Sequence, residues 1–299
     1  MINPPLLVEG DLIYITAPAK FADEFSVFYA KELLEKFGFR VLLSENCLGK
    51  NNYLSGTDSE RLSDLQFGID HPEVRAIICA RGGYGCVRIV DQVNWANMLL
   101  EPKWLVGFSD ITVFHHRLIK LGVQCIHGTM PLNFETNAPE AIDTLFHNLS
   151  KSPADFNIDA NSRNKEGIAM GMLIGGNLSI VHSMLGTDDQ YNFEDAILFI
   201  EDVGEHLYQI DRMIFALKKS GALNKIKGLI VGGMSDLEDT DPPFGPSITE
   251  IIKAQFEYSK TPLLFDFPAG HIADNRALVF GKMVSLEVGK EKSHLRYLN

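Results

Sequence analysis

The chain is poor in cysteine and in the motifs that bind metals. Its four cysteines contain no Cys-x-x-Cys pair, and its nine histidines contain no His-Glu-x-x-His pattern. His115 and His116 are neighbours, but adjacent residues of a helix point to different sides of it. These absences argue against a disulfide framework and against a zinc site. We therefore expect reduced, partly buried thiols, no metal and no other cofactor.

Positive charge and long hydrophobic runs are also scarce. The sequence has 27 basic and 39 acidic residues, which gives a formal net charge of -12. Binding to a nucleic acid or an anionic membrane requires a basic face, so we expect neither partner. The N-terminal residues lack the basic segment and apolar run of a secretory signal, and no stretch approaches the roughly 18 apolar residues of a membrane-spanning helix. We expect a cytoplasmic protein.

The sequence does have an ordinary globular composition, with 45% hydrophobic and 22% charged residues over 299 positions. That length favours two domains over a single core. In the first half, strand-like apolar runs alternate with amphipathic segments. The predicted strands are 12–16, 39–43, 74–79 and 104–108, and the predicted helices are 24–37, 59–69, 87–100 and 111–121. This alternation predicts a parallel sheet covered by helices on both faces.

The second half of the chain has a different pattern. Polar residues dominate 133–166, which we interpret as the connection between domains. The strand-like runs beyond it are 168–174, 196–200, 226–231, 262–267 and 277–288, and the main predicted helix is 208–219. We therefore predict a first domain over 1–150, a linker over 151–166 and a strand-rich second domain over 167–299.

Ser109 is the strongest single candidate for chemistry. It follows the predicted strand 104–108 in a Gly-x-Ser pattern and precedes a helix, which is where many hydrolases hold a nucleophile. The glycine turn 81–85 also follows a predicted strand, and the carboxyl ends of parallel strands meet at one edge of a sheet. A serine at a helix start also serves as an N-cap, and Ile111 replaces the last glycine of the full nucleophile motif. The pattern alone leaves both roles open.

A serine nucleophile needs a base, and the base needs an orienting acid. His271 lies in a loop-like segment directly after an apolar strand, although a polar turn residue is the simpler interpretation of that pattern. Glu201 directly follows a buried strand, where a carboxylate must reach solvent or find a partner. Asp202 and Glu205 compete with it for the role of the acid, and ordinary surface placement is also open.

Short motifs of distinctive composition extend along nearly the whole chain. They are Glu9-Gly-Asp11, Ala17-Pro18, Ser55-Gly-Thr57-Asp58 with Arg61, Arg81-Gly-Gly-Tyr-Gly85, Pro102-Lys103, Gly107-Phe-Ser-Asp-Ile-Thr112, His127-Gly128, Gly175-Gly-Asn177, Leu185-Gly-Thr187, Glu201-Asp202, Tyr208-Gln-Ile-Asp-Arg212 and Gly270-His271. In this order they resemble the LD-carboxypeptidase family. Its members are serine peptidases of cell-wall recycling, also called muramoyl-tetrapeptide carboxypeptidases.

The resemblance implies an α/β fold, with a Rossmann-like, parallel-sheet N-terminal domain and a β-rich, barrel-like C-terminal domain. It implies that Ser109 is the nucleophile, His271 the general base and Glu201 the acid that orients the base. The implied activity is metal-free hydrolysis of the L,D-peptide bond before the terminal D-alanine of a murein tetrapeptide, through an acyl-enzyme on Ser109. The resemblance also suggests a homodimer.

Residues for the oxyanion and the substrate follow from the same layout. The backbone N–H of Asp110, at a helix start, and that of Gly83, in the glycine turn, are candidate oxyanion donors. The terminal carboxylate of a peptide suits the planar fork of an arginine. The candidates for binding substrate are Arg81, Arg212 and Arg276 by neighbourhood, with Tyr84 and Asn177 from the matching motifs.

The chain departs from the common family pattern at Ala19, Cys86 and Thr129, none of which is a proposed catalytic residue. These departures concern the substrate rather than the reaction class. We interpret Cys86 as a small residue at a helix start, not as a second nucleophile.

Two other functions are compatible with the sequence. The family resemblance includes microcin immunity peptidases, which cleave an aminoacyl-nucleotide conjugate and need an aromatic platform for the base. Phe134, Tyr191 and Phe244 are available for that platform. The second alternative is a non-catalytic binding protein on the same scaffold, against which the joint presence of serine, glutamate and histidine argues.

Overall fold

The computed structural model describes residues 1–298. The chain forms two compact units, the first made of Met1–Pro153 and Ala273–Gly281, the second of Ala154–Ile272 and the residues from Lys282 onward. The strands are β1 (Leu12–Thr16), β2 (Arg40–Leu43), β3 (Val74–Cys79), β4 (Trp104–Gly107), β5 (Cys125–His127), β6 (Phe156–Asp159), β7 (Gly167–Asn177), β8 (Ile197–Val203), β9 (Gly228–Ser235), β10 (Leu263–Leu264), β11 (Leu278–Phe280), β12 (Met283–Val288) and β13 (Lys292–Tyr297). The helices are α1 (Glu24–Lys36), α2 (Asp58–Asp70), α3 (Ala96–Leu100), α4 (Thr112–Leu121), α5 (Pro139–Ser150), α6 (Leu178–Ser183), α7 (Leu207–Lys219), α8 (Ala222–Lys225) and α9 (Ile248–Ala254).

The first unit is built on a six-stranded sheet in the order β11-β5-β4-β3-β1-β2. All of its strands are parallel except β11, which runs antiparallel to β5. Every residue of β1 and of β4 is buried, as expected for strands covered on both faces. Because β2 and β3 lie on opposite sides of β1, the strand order reverses at β1. The loops after β1 and β3 therefore flank a topological switch point, where sheets of this type bind ligands.

Local sequence signals explain where the helices of this unit begin and end. Asp23 caps α1, and a reciprocal capping box between Thr57 and Glu60 starts α2. Gly38, with φ of 89°, follows the end of α1, and Gly122, with φ of 81°, ends α4. Both are left-handed conformations that glycine adopts without strain.

Lys103 is a buried cation that closes the carboxyl end of α2. Its ammonium donates to the backbone carbonyls of Gly68 at 3.2 Å, Ile69 at 2.7 Å and His71 at 2.5 Å. The last carbonyls of a helix receive no hydrogen bond from within the helix, so they need an external donor when they are buried. Lys103 therefore fastens α2 to the segment that enters β4.

Replacement of Lys103 by methionine is expected to lower the free energy of unfolding by about 2–4 kcal/mol, because several buried carbonyls lose their donor. The midpoint of urea unfolding measures the loss. Lys36→Met removes an exposed lysine from the end of α1 and should cost less than about 0.5 kcal/mol. Equal stability of the two variants would contradict a capping role for Lys103.

The second unit is built on a seven-stranded mixed sheet in the order β10-β9-β8-β7-β12-β13-β6. Strand β7 joins its two halves: residues 173–177 pair in parallel with β8, whereas residues 167–172 pair antiparallel with β12. An antiparallel bridge between Lys165 and Leu263 connects the chain after β6 to β10, at the other edge of the sheet. The predicted α/β class, with a parallel-sheet first domain and a strand-rich second one, is confirmed.

The predicted linker over 151–166 is wrong in part. Residues 156–159 form β6, which pairs with β13, and the unit boundary falls after Pro153. Phe156 is buried and packs edge-on against Phe267, with ring centroids 5.0 Å apart. Phe156 is the one buried residue of β6, and the polar residues around it obscure the strand in the sequence.

The predicted strand over 277–288 is two strands in two units. Gly281, with φ of 83°, separates β11 from β12, so 273–281 belongs to the first unit and not to a continuous second domain over 167–299. This segment is tied to α5, because Asn148 donates to the carbonyl of Ala277 and the N–H of Ala277 donates to Thr144.

The helix content also differs from the prediction. The segment 87–100 contains a 3-10 turn at Cys86–Arg88 and then only the short α3. Gln66 accepts the N–H of Asn94, whose own side chain accepts the N–H of Ala96, so the helix restarts there. The second unit contains α6, α8 and α9 in addition to the expected α7.

All four cysteines are free thiols, and all four are buried rather than only some of them. Within the described part of the chain, no helix combines the length and hydrophobicity needed to cross a membrane.

Candidate active site

Ser109 occupies a strained turn between β4 and α4. Its φ is 61°, a left-handed conformation that costs a non-glycine residue energy. It opens a 3-10 turn, Ser109–Ile111, whose capping residue is Phe108, and no side chain caps that turn. The structure therefore does not use Ser109 as an N-cap. Its side chain is partly exposed between buried neighbours, as in the strand-turn-helix elbow that presents a nucleophile.

The glycine turn after β3 lies directly against Ser109. A Cβ added to Gly82 would come within 2.9 Å of the Ser109 Cβ and 3.0 Å of its Oγ. Only a residue without a side chain allows this approach. In the region 1–298, the N–H groups of Gly83 and Asp110 have no recorded hydrogen-bond acceptor. Both backbone donors therefore lie at the candidate nucleophile: Asp110 follows Ser109 directly, and Gly83 follows Gly82, which contacts Ser109.

Buried charges hold this turn in place. The Asp110 carboxylate accepts the N–H of Cys86 at 2.9 Å, and burial raises the pKa of Asp110. Arg61, fully buried, donates to the carbonyls of Pro18 at 2.5 Å and Gly85 at 3.0 Å. The loops after β1, β3 and β4 are therefore cross-linked by side chains. Cys86 itself is buried, and burial raises the pKa of its thiol, which fits the interpretation of a small residue at a helix start.

In the second unit, Glu201 and His271 form a close pair. The Nδ1–H of His271 donates to Oε2 of Glu201 at 2.5 Å, and the backbone N–H of His271 donates to the same oxygen at 3.2 Å. The Glu201 side chain is fully buried. Burial alone would lower the pKa of His271, but the charge and hydrogen bond of Glu201, followed by Asp202 and Asp236, raise it overall. This arrangement fixes the imidazole tautomer and leaves Nε2 as its basic nitrogen.

A glycine bulge in β9 brings the two residues together. Ile200 pairs with Val231 and Asp202 with Met234, so two glycines of β9, Gly232 and Gly233, lie opposite Glu201. The added residue of a bulge re-aims neighbouring side chains. A Cβ on Gly232 would come within 2.4 Å of the carbonyl oxygen of Ala269. The bulge and its missing side chains thus allow the loop after β10 to lie along the sheet.

That loop is fixed by three contacts around His271. Gly233 donates to the carbonyl of Ala269 at 2.8 Å, and the Ser235 hydroxyl donates to the carbonyl of His271 at 2.7 Å. Gly270, with φ of 104°, lies so close to Glu201 that a Cβ would approach the glutamate Cβ to 2.6 Å. Ser235 and the pair Gly232-Gly233 were not predicted as parts of the site. Their only signal in the sequence is a double glycine near the end of an apolar strand.

The competing acids have other positions. Asp202 is buried and accepts hydrogen bonds from Asn177, Ser179 and Val203. Burial, followed by the neighbouring Glu201, raises the pKa of Asp202 to about 6. Glu205 is half-buried and has no recorded bond to His271 in the described region. Of the three candidates, Glu201 is the one that the structure places on His271.

Some of the candidate substrate-binding residues make contacts within the local structure, and others lie beside Ser109. Asn177 is buried, caps α6 by accepting the N–H of Ile180, and donates to Asp202, so it supports the local structure. Arg276 pairs with Asp274, and the guanidinium of Arg212, on α7, lies 5.6 Å from the ring centre of Tyr208. Arg81 and the exposed Tyr84 lie in the glycine turn beside Ser109.

Two of the three candidates for an aromatic platform cannot form one, because their rings are buried. Phe134 and Tyr191 are 3% and 2% exposed, and the Tyr191 hydroxyl donates to the carbonyl of Gly175. Buried rings of this kind cannot stack on a ligand base.

Comparison with known proteins identifies the family. Residues 13–128 match the LD-carboxypeptidase N-terminal domain, and residues 170–286 match the LD-carboxypeptidase C-terminal domain. A putative carboxypeptidase from Synechocystis sp. is 32% identical over 96% of this chain and 94% of its own length. The murein tetrapeptide carboxypeptidase of Pseudomonas aeruginosa is 30% identical over 85% of this chain and 86% of its own.

A solved structure agrees with these relatives. The muramoyltetrapeptide carboxypeptidase of Oxalobacter formigenes superimposes with a TM-score of 0.89 at 26% identity, covering 96% of this chain and 99% of that one. Both domain matches, the full-length relatives and the shared fold lead to one conclusion: the chain belongs to the LD-carboxypeptidase family of peptidases.

Proposed function

We propose that the protein is a serine carboxypeptidase that cleaves the L,D-peptide bond before the terminal D-alanine of murein tetrapeptides, without a metal. The observation that carries the proposal is the buried Glu201–His271 pair, which supplies an oriented general base. The strained turn at Ser109 supports it further, because it matches the setting of activated serine nucleophiles.

The proposed reaction has two halves. His271 Nε2 accepts the proton of the Ser109 hydroxyl as Oγ attacks the scissile carbonyl, and Glu201 stabilises the imidazolium that forms. The N–H groups of Asp110 and Gly83 donate to the oxyanion. When the tetrahedral intermediate collapses, His271 returns the proton to the departing amine of D-alanine. A water molecule, deprotonated by His271, then attacks the ester on Ser109 and releases the tripeptide.

The nucleotide-conjugate alternative lacks most of the aromatic platform considered for it. Two of the three aromatic residues considered for its platform are buried. The binding-protein alternative does not account for a histidine whose Nδ1 is committed to a buried carboxylate, since that arrangement serves to orient a base.

The test is a direct assay of D-alanine release. The purified protein is incubated with a murein tetrapeptide that carries meso-diaminopimelate at its third position, with and without a chelator. We expect stoichiometric release of D-alanine in both cases, and much slower release of L-alanine from the epimeric peptide. Fluorophosphonate treatment should stop the reaction and label Ser109. A failure to release D-alanine, or its loss on chelation, would refute the proposal.

A further inference from the structure

A patch of three cations lies in the first unit beside the glycine turn. It consists of Lys20, Lys50 and Arg81, and we refer to it as the cationic patch. Within residues 1–298, no carboxylate oxygen forms an ion pair within 4.0 Å of a charged nitrogen of these three side chains. In a chain with 39 acidic and 27 basic residues, three neighbouring cations without an ion-pair partner are unexpected. The concentration of positive charge at this place needs an explanation.

The patch lies at the topological switch point of the sheet. Lys20 is in the loop after β1, and Arg81 is in the loop after β3. Gly83, in the same turn as Arg81, lies against Lys20: a Cβ at that position would approach the Lys20 Cβ to 2.8 Å and the Tyr53 hydroxyl to 3.1 Å. The preceding residue, Gly82, contacts Ser109. The patch and Ser109 are therefore reached from successive residues of a single turn.

Aromatic rings and a backbone carbonyl hold the cations without neutralising them. The Lys20 ammonium lies 4.8 Å from the ring centre of Tyr53, and the Lys50 ammonium lies 4.2 Å from that of Phe21. Arg81 donates to the carbonyl of Phe21 at 3.2 Å. Such cation–π and carbonyl contacts orient a charged group but leave its full charge available to an anion.

Asp23, whose charge acts on Arg81, is engaged in hydrogen bonds of its own. Its carboxylate accepts the backbone N–H and the hydroxyl of Ser26 at 2.8 Å each, at the start of α1. Burial lowers the pKa of Arg81, and the charge of Asp23 opposes that effect. The other arginines considered for an anionic substrate, Arg212 and Arg276, lie over a tyrosine ring and against Asp274.

We propose that the cationic patch binds the terminal carboxylate of the peptide substrate. The inference rests on the proposed function, because it assumes that Ser109 attacks the bond before the last residue. Successive residues of a peptide are about 3.8 Å apart, so the terminal carboxylate lies one residue beyond the scissile carbonyl. Gly82 lies against Ser109 and the next residue, Gly83, lies against the stem of Lys20, so one turn borders both the nucleophile and the patch. Recognition of that carboxylate restricts cleavage to the last bond of the chain.

The test measures binding to a variant that cannot turn over substrate. Ser109→Ala is titrated calorimetrically with the murein tetrapeptide and with the same peptide carrying a C-terminal carboxamide. We expect the acid to bind about 10- to 100-fold more tightly than the amide, as for a charge-assisted contact. Adding Lys20→Met should remove most of that preference by weakening only the acid, and Lys50→Met should remove part of it.

Lys36→Met is the matched control, because it removes the same charge from the far end of α1 and should leave both affinities unchanged. Lys50 is exposed, so its variant tests the patch even if Lys20→Met perturbs the loop. Equal affinity for acid and amide, or equal weakening of both by the patch variants, overturns the inference. If the wild-type protein releases D-alanine in that case, the proposed function stands without this carboxylate site.

Discussion

Ser109→Ala is expected to lower the rate of D-alanine release by about 10⁴- to 10⁶-fold, to a level set by binding and oxyanion contacts alone. The reason is that alanine keeps the Cβ and the strained backbone of this position but has no oxygen to form the acyl-enzyme. Single-turnover assays with enzyme in excess give the sensitivity that this range requires. The fold should be retained, since no hydrogen bond of the capping kind is removed.

An exposed serine of the same unit provides the control. Ser59 is an exposed residue at the start of α2, and Ser59→Ala should leave the rate within about twofold of the wild type. Substantial D-alanine release by Ser109→Ala would exclude Ser109 as the nucleophile. A loss of activity that parallels a loss of thermal stability would instead indicate a structural role.

Glu201→Gln is expected to lower kcat/KM by about 10³- to 10⁴-fold and to move its acid limb to lower pH. In the wild type, the base must be neutral to act, so activity is lost as the pH falls through the raised pKa of His271. The midpoint of that limb should lie at a pH above the usual histidine pKa of about 6.5. Without the Glu201 charge, burial becomes the dominant influence on His271 and lowers its pKa, so the limb shifts down.

The direction of the pH shift distinguishes a specific effect of Glu201 on His271 from general damage to the site. A profile of kcat/KM against pH between 5 and 9 measures it in both proteins. Glu205→Gln removes a nearby carboxylate that has no recorded bond to His271 and should change neither the rate nor the limb by much. An acid limb that stays in place or moves upward in Glu201→Gln would contradict the assigned role of Glu201.

The sequence predicted β1 to β4 of the first sheet because these short strands are largely apolar and alternate with amphipathic segments, but it did not predict β5, which is only three residues long. The bounds of β1 and β3 match the prediction at both ends. The return of 273–281 to the first unit was not predictable, because only Gly281 and Lys282 separate β11 from β12, and the two strands look like one strand-like segment in the sequence. Run length alone does not tell which sheet a strand joins.

The candidate site shows a similar limit. Sequence reasoning could place a carboxylate at the end of β8 but could not choose among Glu201, Asp202 and Glu205. Adjacent strand residues face opposite sides, and the side that meets His271 is decided by the bulge at Gly232 and Gly233 in another strand. The family resemblance selected Glu201, and the physical reason became visible only with the register of β9.

The assignment of β11 to the first sheet affects how the protein must be made. The chain completes residues 1–153 early in synthesis, but the edge strand that covers β5 is supplied only after the whole of 154–272 has been made. Until then, β5 presents an unpaired edge on which another chain can add a strand. The amino-terminal unit therefore depends on the carboxyl-terminal part of the gene for its last strand, and dividing the protein at residue 153 would leave that edge open.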